Sequence, residues 1–270
     1  MTSRDRQDDR RAVFERDDHA CRHCEGAGDA ADPAALRTVP VGGVPLEGTV
    51  HESALVTVCA DCFATLRTPS DSAEPEISAS RRDLFTLVRE TTRVQGGVIS
   101  DVASFASLAT SVPTTLADAD DEASFDGETT ADYRRARRDV LLAIDLVDAR
   151  LERLAAVDET AFDADVRSSL EAFSVSAADL QSTLRTVVDR AETVPAGLER
   201  CHGCFDALES GRCSTCGLEA RSTADWRRDD GGLAFERLFS AVNDELQRAS
   251  ATTETLTDRA TALATQLSES

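Results

Sequence analysis

Cys201-His-Gly-Cys204-Phe-Asp-Ala-Leu-Glu-Ser-Gly-Arg-Cys213-Ser-Thr-Cys216-Gly217 sets two Cys-x-x-Cys pairs eight residues apart. The remaining cysteines repeat the pattern as Cys21/Cys24 and Cys59/Cys62, so all eight lie in such pairs. Two intervening residues let both thiolates turn toward one point, which suits a tetrahedral ion about 2.3 Å from each sulfur. Two pairs complete a Cys₄ shell, so the four pairs predict two structural zinc sites. Disulfides or redox pairs are the alternative; the absence of a leftover cysteine and of a secretory leader argues for zinc. A closed thiolate shell leaves no position for water, so neither site is expected to be catalytic. Gly217 suits a knuckle turn that needs positive φ.

Outward from these pairs the chain reads as helix. Residues 79–112 carry Leu84, Leu87, Thr91, Val94, Val98, Val102 and Phe105 on one face, with a break expected at Gly96-Gly97. Val140, Ile144, Val147, Leu151 and Leu154 alternate steps of four and three, as in a coiled-coil seam. A second run holds Val166, Leu170, Phe173, Ala177, Leu180, Leu184 and Val187. A third runs from Phe235 through Phe239, Val242, Leu246, Ala249, Thr253, Leu256, Ala260 and Leu263 to Leu267. The second and third are expected to pack as an antiparallel hairpin with the distal cysteine module near its turn. A bundle that satisfies these seams within one chain is the alternative to a coiled coil that seeks a partner.

The expected organisation is a cysteine-bounded module over 1–68, a Pro/Ser/acidic linker over 69–78, a helix over 79–112 and an acidic linker over 113–131. A helical coiled-coil region over 132–198, a second zinc module over 199–220 and a coiled-coil helix over 232–270 follow. The fold class is mostly α with small α+β zinc modules. In the first module Leu36–Val41 and Ala54–Val58 read as strands, with Gly42-Gly43 between them.

The 270 residues carry 29 basic side chains, all Arg, against 50 Asp and Glu, for a formal net charge of −21. Acidic surfaces without Lys point to a halophilic protein, because molar salt shortens the Debye length to about 3 Å and mutes their repulsion. In such a cytosol even a DNA-binding surface is acidic, so the charge neither supports nor excludes nucleic acid. No apolar h-region and no run of eighteen apolar residues is present, so a cytoplasmic protein without membrane contact is expected.

The stretch Arg11-Ala-Val-Phe14-Glu-Arg-Asp17-Asp-His-Ala-Cys21-Arg-His-Cys24 resembles the lead-in of zinc-bearing HNH endonucleases. Val39-Pro40-Val41-Gly-Gly43 and Ser53-Ala-Leu55-Val-Thr-Val-Cys59-Ala-Asp-Cys62 are similar to that family's hairpin and final helix, and the resemblance spans residues 8–68. It implies a treble-clef, ββα-metal module. It also implies a metal-binding residue and a general base at positions where this chain has Leu36 and Arg37. The family's Asn falls on Ala54 and its last metal-binding His on Phe63. Loss of a positioned base costs about 10²–10⁴-fold in rate, and loss of the metal ligands removes the ion that generates hydroxide. The module is therefore expected to be catalytically inactive. A relocated nuclease site would draw on His51, Glu52 and Asp61. His23 and His202, inside knuckles already supplied with four thiolates, are expected to be solvated or supporting groups.

Residues 201–217 resemble a small zinc ribbon, a module used for nucleic acids, for protein contacts and as a staple. Arg221, Trp226, Arg227 and Arg228 follow it, the Trp suited to stacking or to packing on a neighbouring helix. The leading expectation is a non-catalytic DNA-binding protein with Arg10, Arg11, Arg16, Arg22 and Arg67 as phosphate contacts. The alternatives are a zinc-ribbon and coiled-coil adaptor for a protein partner or self-association, and an active nuclease with a rebuilt site. No small-molecule cofactor is expected.

Overall fold

Leu84, Val98, Ile144, Leu170, Leu184 and Leu256 are all buried, and four long helices carry them. The computed structural model describes residues 3–25, 35–42, 50–67, 80–117, 128–208 and 211–268. The long helices are α3 (Arg81–Ala117), α4 (Glu128–Ala155), α5 (Ala164–Gly197) and α6 (Phe235–Ser268). The cysteine-bounded module contributes α1 (Ser3–Arg16), β1 (Leu36–Pro40), β2 (Leu55–Cys59) and α2 (Ala60–Leu66). The fold is thus mostly α with two small Cys₄ modules, as expected.

Side-chain bonds fix the helix directions. Arg81 near the start of α3 pairs with Asp163 at the start of α5 and donates to the Gln266 carbonyl near the end of α6, at 2.5 and 3.0 Å. Arg190 near the end of α5 donates to the Ala241 carbonyl in the first turns of α6. Arg150 late in α4 reaches Glu90 early in α3. The bundle therefore runs up-down-up-down, and the expected α5–α6 antiparallel hairpin is present, with the second cysteine module at its turn. Seven of the α5 seam residues, Val166 to Val187, are buried. The seams find their partners inside the chain.

Two expectations need correction. Gly96-Gly97 does not break α3, and the helix continues through Pro113 to Ala117. Neither glycine has a neighbouring atom within 4 Å of where a Cβ would stand, and burial of Val94, Gln95 and Val98 on either side holds the helix together. Gly96→Ala and Gly97→Ala are accordingly expected to stabilise the protein by roughly 0.5–1 kcal/mol each, read as a rise in thermal midpoint. The acidic spacer also contracts, since α4 begins at Glu128; residues 118–127 and the linker 69–78 lie outside the described residues.

The first module has the order knuckle, hairpin, helix of a treble clef. Its strands pair antiparallel with Leu36 opposite Cys59 and Pro40 opposite Leu55. Leu36 and Val39, on opposite faces of β1, are both buried, while Arg37 is exposed. This module shares one apolar core with the bundle, through Val39, Val41, Val56 and Val58. Helix α4 supplies the polar anchors: Asp139 accepts from Arg22 at 2.5 and 3.0 Å, Asp145 from the Gly42 amide at 2.9 Å, and Arg153 donates to the Ala64 carbonyl at 2.7 Å. Gly42 has φ +75° and a Cβ there would sit 3.0 Å from Leu141, so both its conformation and its closeness to α4 require glycine.

Candidate metal centres and the adjoining clefts

In each centre one ligand-atom set converges: Cys21, Cys24, Cys59 and Cys62, and separately Cys201, Cys204, Cys213 and Cys216, with all sulfurs of a set within 4.8 Å of one another. A tetrahedron with arms of about 2.3 Å has edges of about 3.8 Å. The separations are 3.7 Å for Cys24–Cys59 and 3.4 Å for both Cys201–Cys216 and Cys204–Cys213. All eight cysteines are free of disulfides. The donor set and spacing fit zinc, and each group can hold one ion.

The local fold aims the thiolates. Cys21–Cys24 forms the knuckle after α1, Cys59 ends β2, and Cys62 sits in the first turn of α2. The residue after a knuckle's second cysteine turns left-handed three times: Glu25 at φ 53°, Phe205 at 68° and Gly217 at 75°. Inside the knuckle, before that turn, the Gly203 N–H donates to Cys201 Sγ at 3.3 Å. Hydrogen bonds with Cys201 and Cys204 hold the Cys216 thiol down to about 3, whereas sharing with Cys201 and Cys216 pushes Cys204 far up. Binding of a cation would release the protons these sulfurs share.

The second module is built from one unit used twice. Bonds Cys201 N to Asp206 O, Phe205 N to Cys201 O and Leu208 N to Glu199 O recur twelve residues later as Cys213 N to Leu218 O, Gly217 N to Cys213 O and Ala220 N to Gly211 O. Short bridges Arg200–Ala207 and Arg212–Glu219 complete the correspondence. Arg200-Cys201 and Arg212-Cys213 are the sequence signal of this repeat.

A buried polar cluster ties that module to the bundle. Glu192, fully buried on α5, accepts from Arg137 Nε of α4 at 2.7 Å and from Arg221 Nε at 2.8 Å. His202 Nε2 lies 3.9 Å from the same carboxylate, and Tyr133 donates to the His202 carbonyl at 3.2 Å. Burial alone would raise the Glu192 pKa, but Arg137, His202 and Arg221 together bring it below the ordinary value. His202 is therefore buried beside an anion, not solvated, and Arg221, part-exposed, is paired with Glu192 and Asp189. Trp226 lies under Arg237 of α6, with 5.9 Å from guanidinium to ring, so it packs the post-ribbon segment onto that helix.

Among the described residues the Cys₄ sets are the only groups of three or more His, Cys, Asp or Glu that converge on a point. His51 instead caps the turn Glu52–Ala54, its Nδ1 2.9 Å from Ser53 Oγ. The positions compared with HNH chemistry do gather: Leu36, Arg37 and Phe63 line one cleft of about 710 Å³, together with Phe14, Arg10 and Arg67. Asp145, Asp148 and Glu152 of α4 form the facing wall. Ala54 is buried elsewhere, its carbonyl accepting from Val41.

Of the expected phosphate contacts, Arg11 pairs with Glu15 at 2.8 Å. Arg16 bonds Asp17 and the carbonyls of Glu52 and Leu55, and Arg22 bonds Asp139. Arg67 lies over the Phe63 ring at 5.1 Å, and Arg10 is exposed on α1. No helix of the described residues is long and apolar enough to cross a membrane. Comparison with family models, with curated proteins and with solved structures returns no match.

Proposed function

We propose that this is a non-catalytic nucleic-acid-binding protein, with double-stranded DNA the leading ligand, stiffened by two structural zinc ions and adapted to a salt-rich cytosol. The observation that carries the reading is the cleft holding Leu36, Arg37 and Phe63. At the positions where the HNH resemblance calls for a base and hard-cation ligands stand two apolar side chains and a guanidinium, and the carboxylates Asp145, Asp148 and Glu152 across the cleft do not converge with a third ligand on one point among the described residues. Leu36, Arg37 and Phe63 cannot activate water at neutral pH. Arg10, Arg37 and Arg67 on that wall suit contacts to a phosphate backbone, which fix register without reading sequence.

The test is anisotropy of labelled duplex DNA with zinc-loaded protein across KCl concentrations, with Mg²⁺ or Mn²⁺ present and strand integrity followed together. Binding with intact strands is expected, and Arg10→Ala or Arg67→Ala should each lower the salt slope by about one. Strand cutting would overturn the catalytic loss, and absence of binding would overturn the nucleic-acid reading.

One observation favours the adaptor reading as the alternative. Helices α3 and α6 leave a groove of about 310 Å³ lined mainly by Phe85, Val88, Ala260, Ala264 and Leu267, which suits an apolar protein segment.

A further inference from the structure

Where the treble clef, α4 and the second zinc module meet, a cleft of about 260 Å³ gathers Arg16, Arg22, Arg134, Arg135 and Arg138, with Cys204 at its border. Five guanidinium groups face two lining carboxylates, Asp17 and Glu52, in a chain whose net charge is −21. Such a concentration of positive charge runs against the composition of the whole molecule.

Of the nearby acids, Asp17 and Asp139 are already engaged, and Glu52 is exposed. Asp17 accepts from Arg16 Nε and Nη2 and from the Thr57 amide. Asp139, just outside, receives both bonds from Arg22. Arg135 has only a loose contact with Asp132 at 3.8 Å. Arg138 is 7% exposed and makes no hydrogen bond or ion pair among the described residues, and Arg134 Nε is buried without an acceptor. Burial, with the charges of Arg16 and Arg22 added, draws the Arg138 pKa down to about 10 against the pull of Asp17 and Asp139, so it remains a cation at neutral pH. Arg138 thus presents a largely buried guanidinium that has no acceptor yet still reaches solvent at the cleft, an arrangement that an incoming anion would complete.

We propose that this junction is a binding site for a phosphate oxyanion, with Arg138 and Arg134 as its direct donors and Arg16, Arg22 and Arg135 as the surrounding positive field. Guanidinium forks match the tetrahedral oxygens of phosphate in pairs. Both zinc modules contribute to its walls, so an anion bound there would also bridge them through α4. The site is separate from the Leu36/Phe63 cleft and does not rest on the nucleic-acid reading.

The experiment is titration of zinc-loaded full-length protein with inorganic phosphate in molar KCl, following heat and thermal midpoint. Saturable binding of one phosphate per chain is expected, with Arg138→Leu and Arg134→Gln each weakening it about tenfold or more. Without phosphate, Arg138→Leu should melt no lower than the parent and keep its zinc, because an uncompensated cation has been removed; a purely structural arginine would lower the midpoint. A 5′-phosphorylated oligonucleotide that competes where its unphosphorylated form does not assigns the site to a terminal phosphate, and equal competition assigns it to the backbone. Absence of saturable phosphate binding, or binding unchanged in both variants, would overturn the proposal.

Discussion

Stripping zinc with a chelator is expected to unfold residues 199–220 while most of the helical signal survives. Phe205 and His202 moor the module to the bundle, but its own buried cluster is only Cys201, Cys204 and Cys213, with Leu208, Cys216 and Leu218 packed against them. Structural zinc contributes about 10–16 kcal/mol in small finger modules, more than a unit of this size can replace. The bundle has its own core, from Leu84 to Leu267, and does not depend on that cluster. Two zinc ions per chain should be found by elemental analysis. Limited proteolysis after chelation, or of Cys213→Ser, should then cut within the module. Unchanged protease resistance in the metal-free protein would refute the assignment.

Glu192→Gln is expected to cost about 3–5 kcal/mol, because removing the anion leaves Arg137 buried beside no counter-charge. Arg137 is already 5% exposed with its Nη1 unsatisfied, so nothing nearby can take over. The sign of the pH dependence follows from the lowered Glu192 pKa. Its contribution is complete above the unfolded carboxyl value of about 4.3 and is lost as pH falls through the lower folded value. Acid unfolding should therefore steepen below about pH 4 in the parent and flatten in Glu192→Gln. Thermal and urea melts across this range read both effects. A loss under about 1 kcal/mol would show that the cluster is not a structural clasp.

Both metal centres were legible because ligand spacing is local: two residues between cysteines dictate where sulfurs can point. The α5 seam was legible for the same reason. What sequence reasoning missed depends on neighbours that lie far along the chain. Val140–Val147 reads as one seam, yet Val140, Leu141, Leu142, Ala143, Ile144, Leu146 and Val147 are all buried, since the bundle covers one side of α4 and the treble clef the other. A helix apolar on every side was the available signal. In α6 the buried line near the start is Leu238, Val242 and Glu245, displacing Phe235 and Phe239 to half-burial. Glu245 is tolerated there because Arg190 lies 3.0 Å away and Arg248 2.5 Å away. Arg16, Arg22 and Arg221 found carboxylates or carbonyls that no short window of sequence could name.

The attachment of the treble clef to α4 has a consequence for synthesis. Arg22 and its partner Asp139 are 117 residues apart in the chain. At about 5–20 residues per second the ribosome needs on the order of ten seconds to bring the second after the first. Cys62 and α2 are complete long before, so zinc can close the small module while its docking helix does not yet exist. During that interval the valines destined for the shared core have no cover, and metal alone must keep the nascent unit from associating with its neighbours.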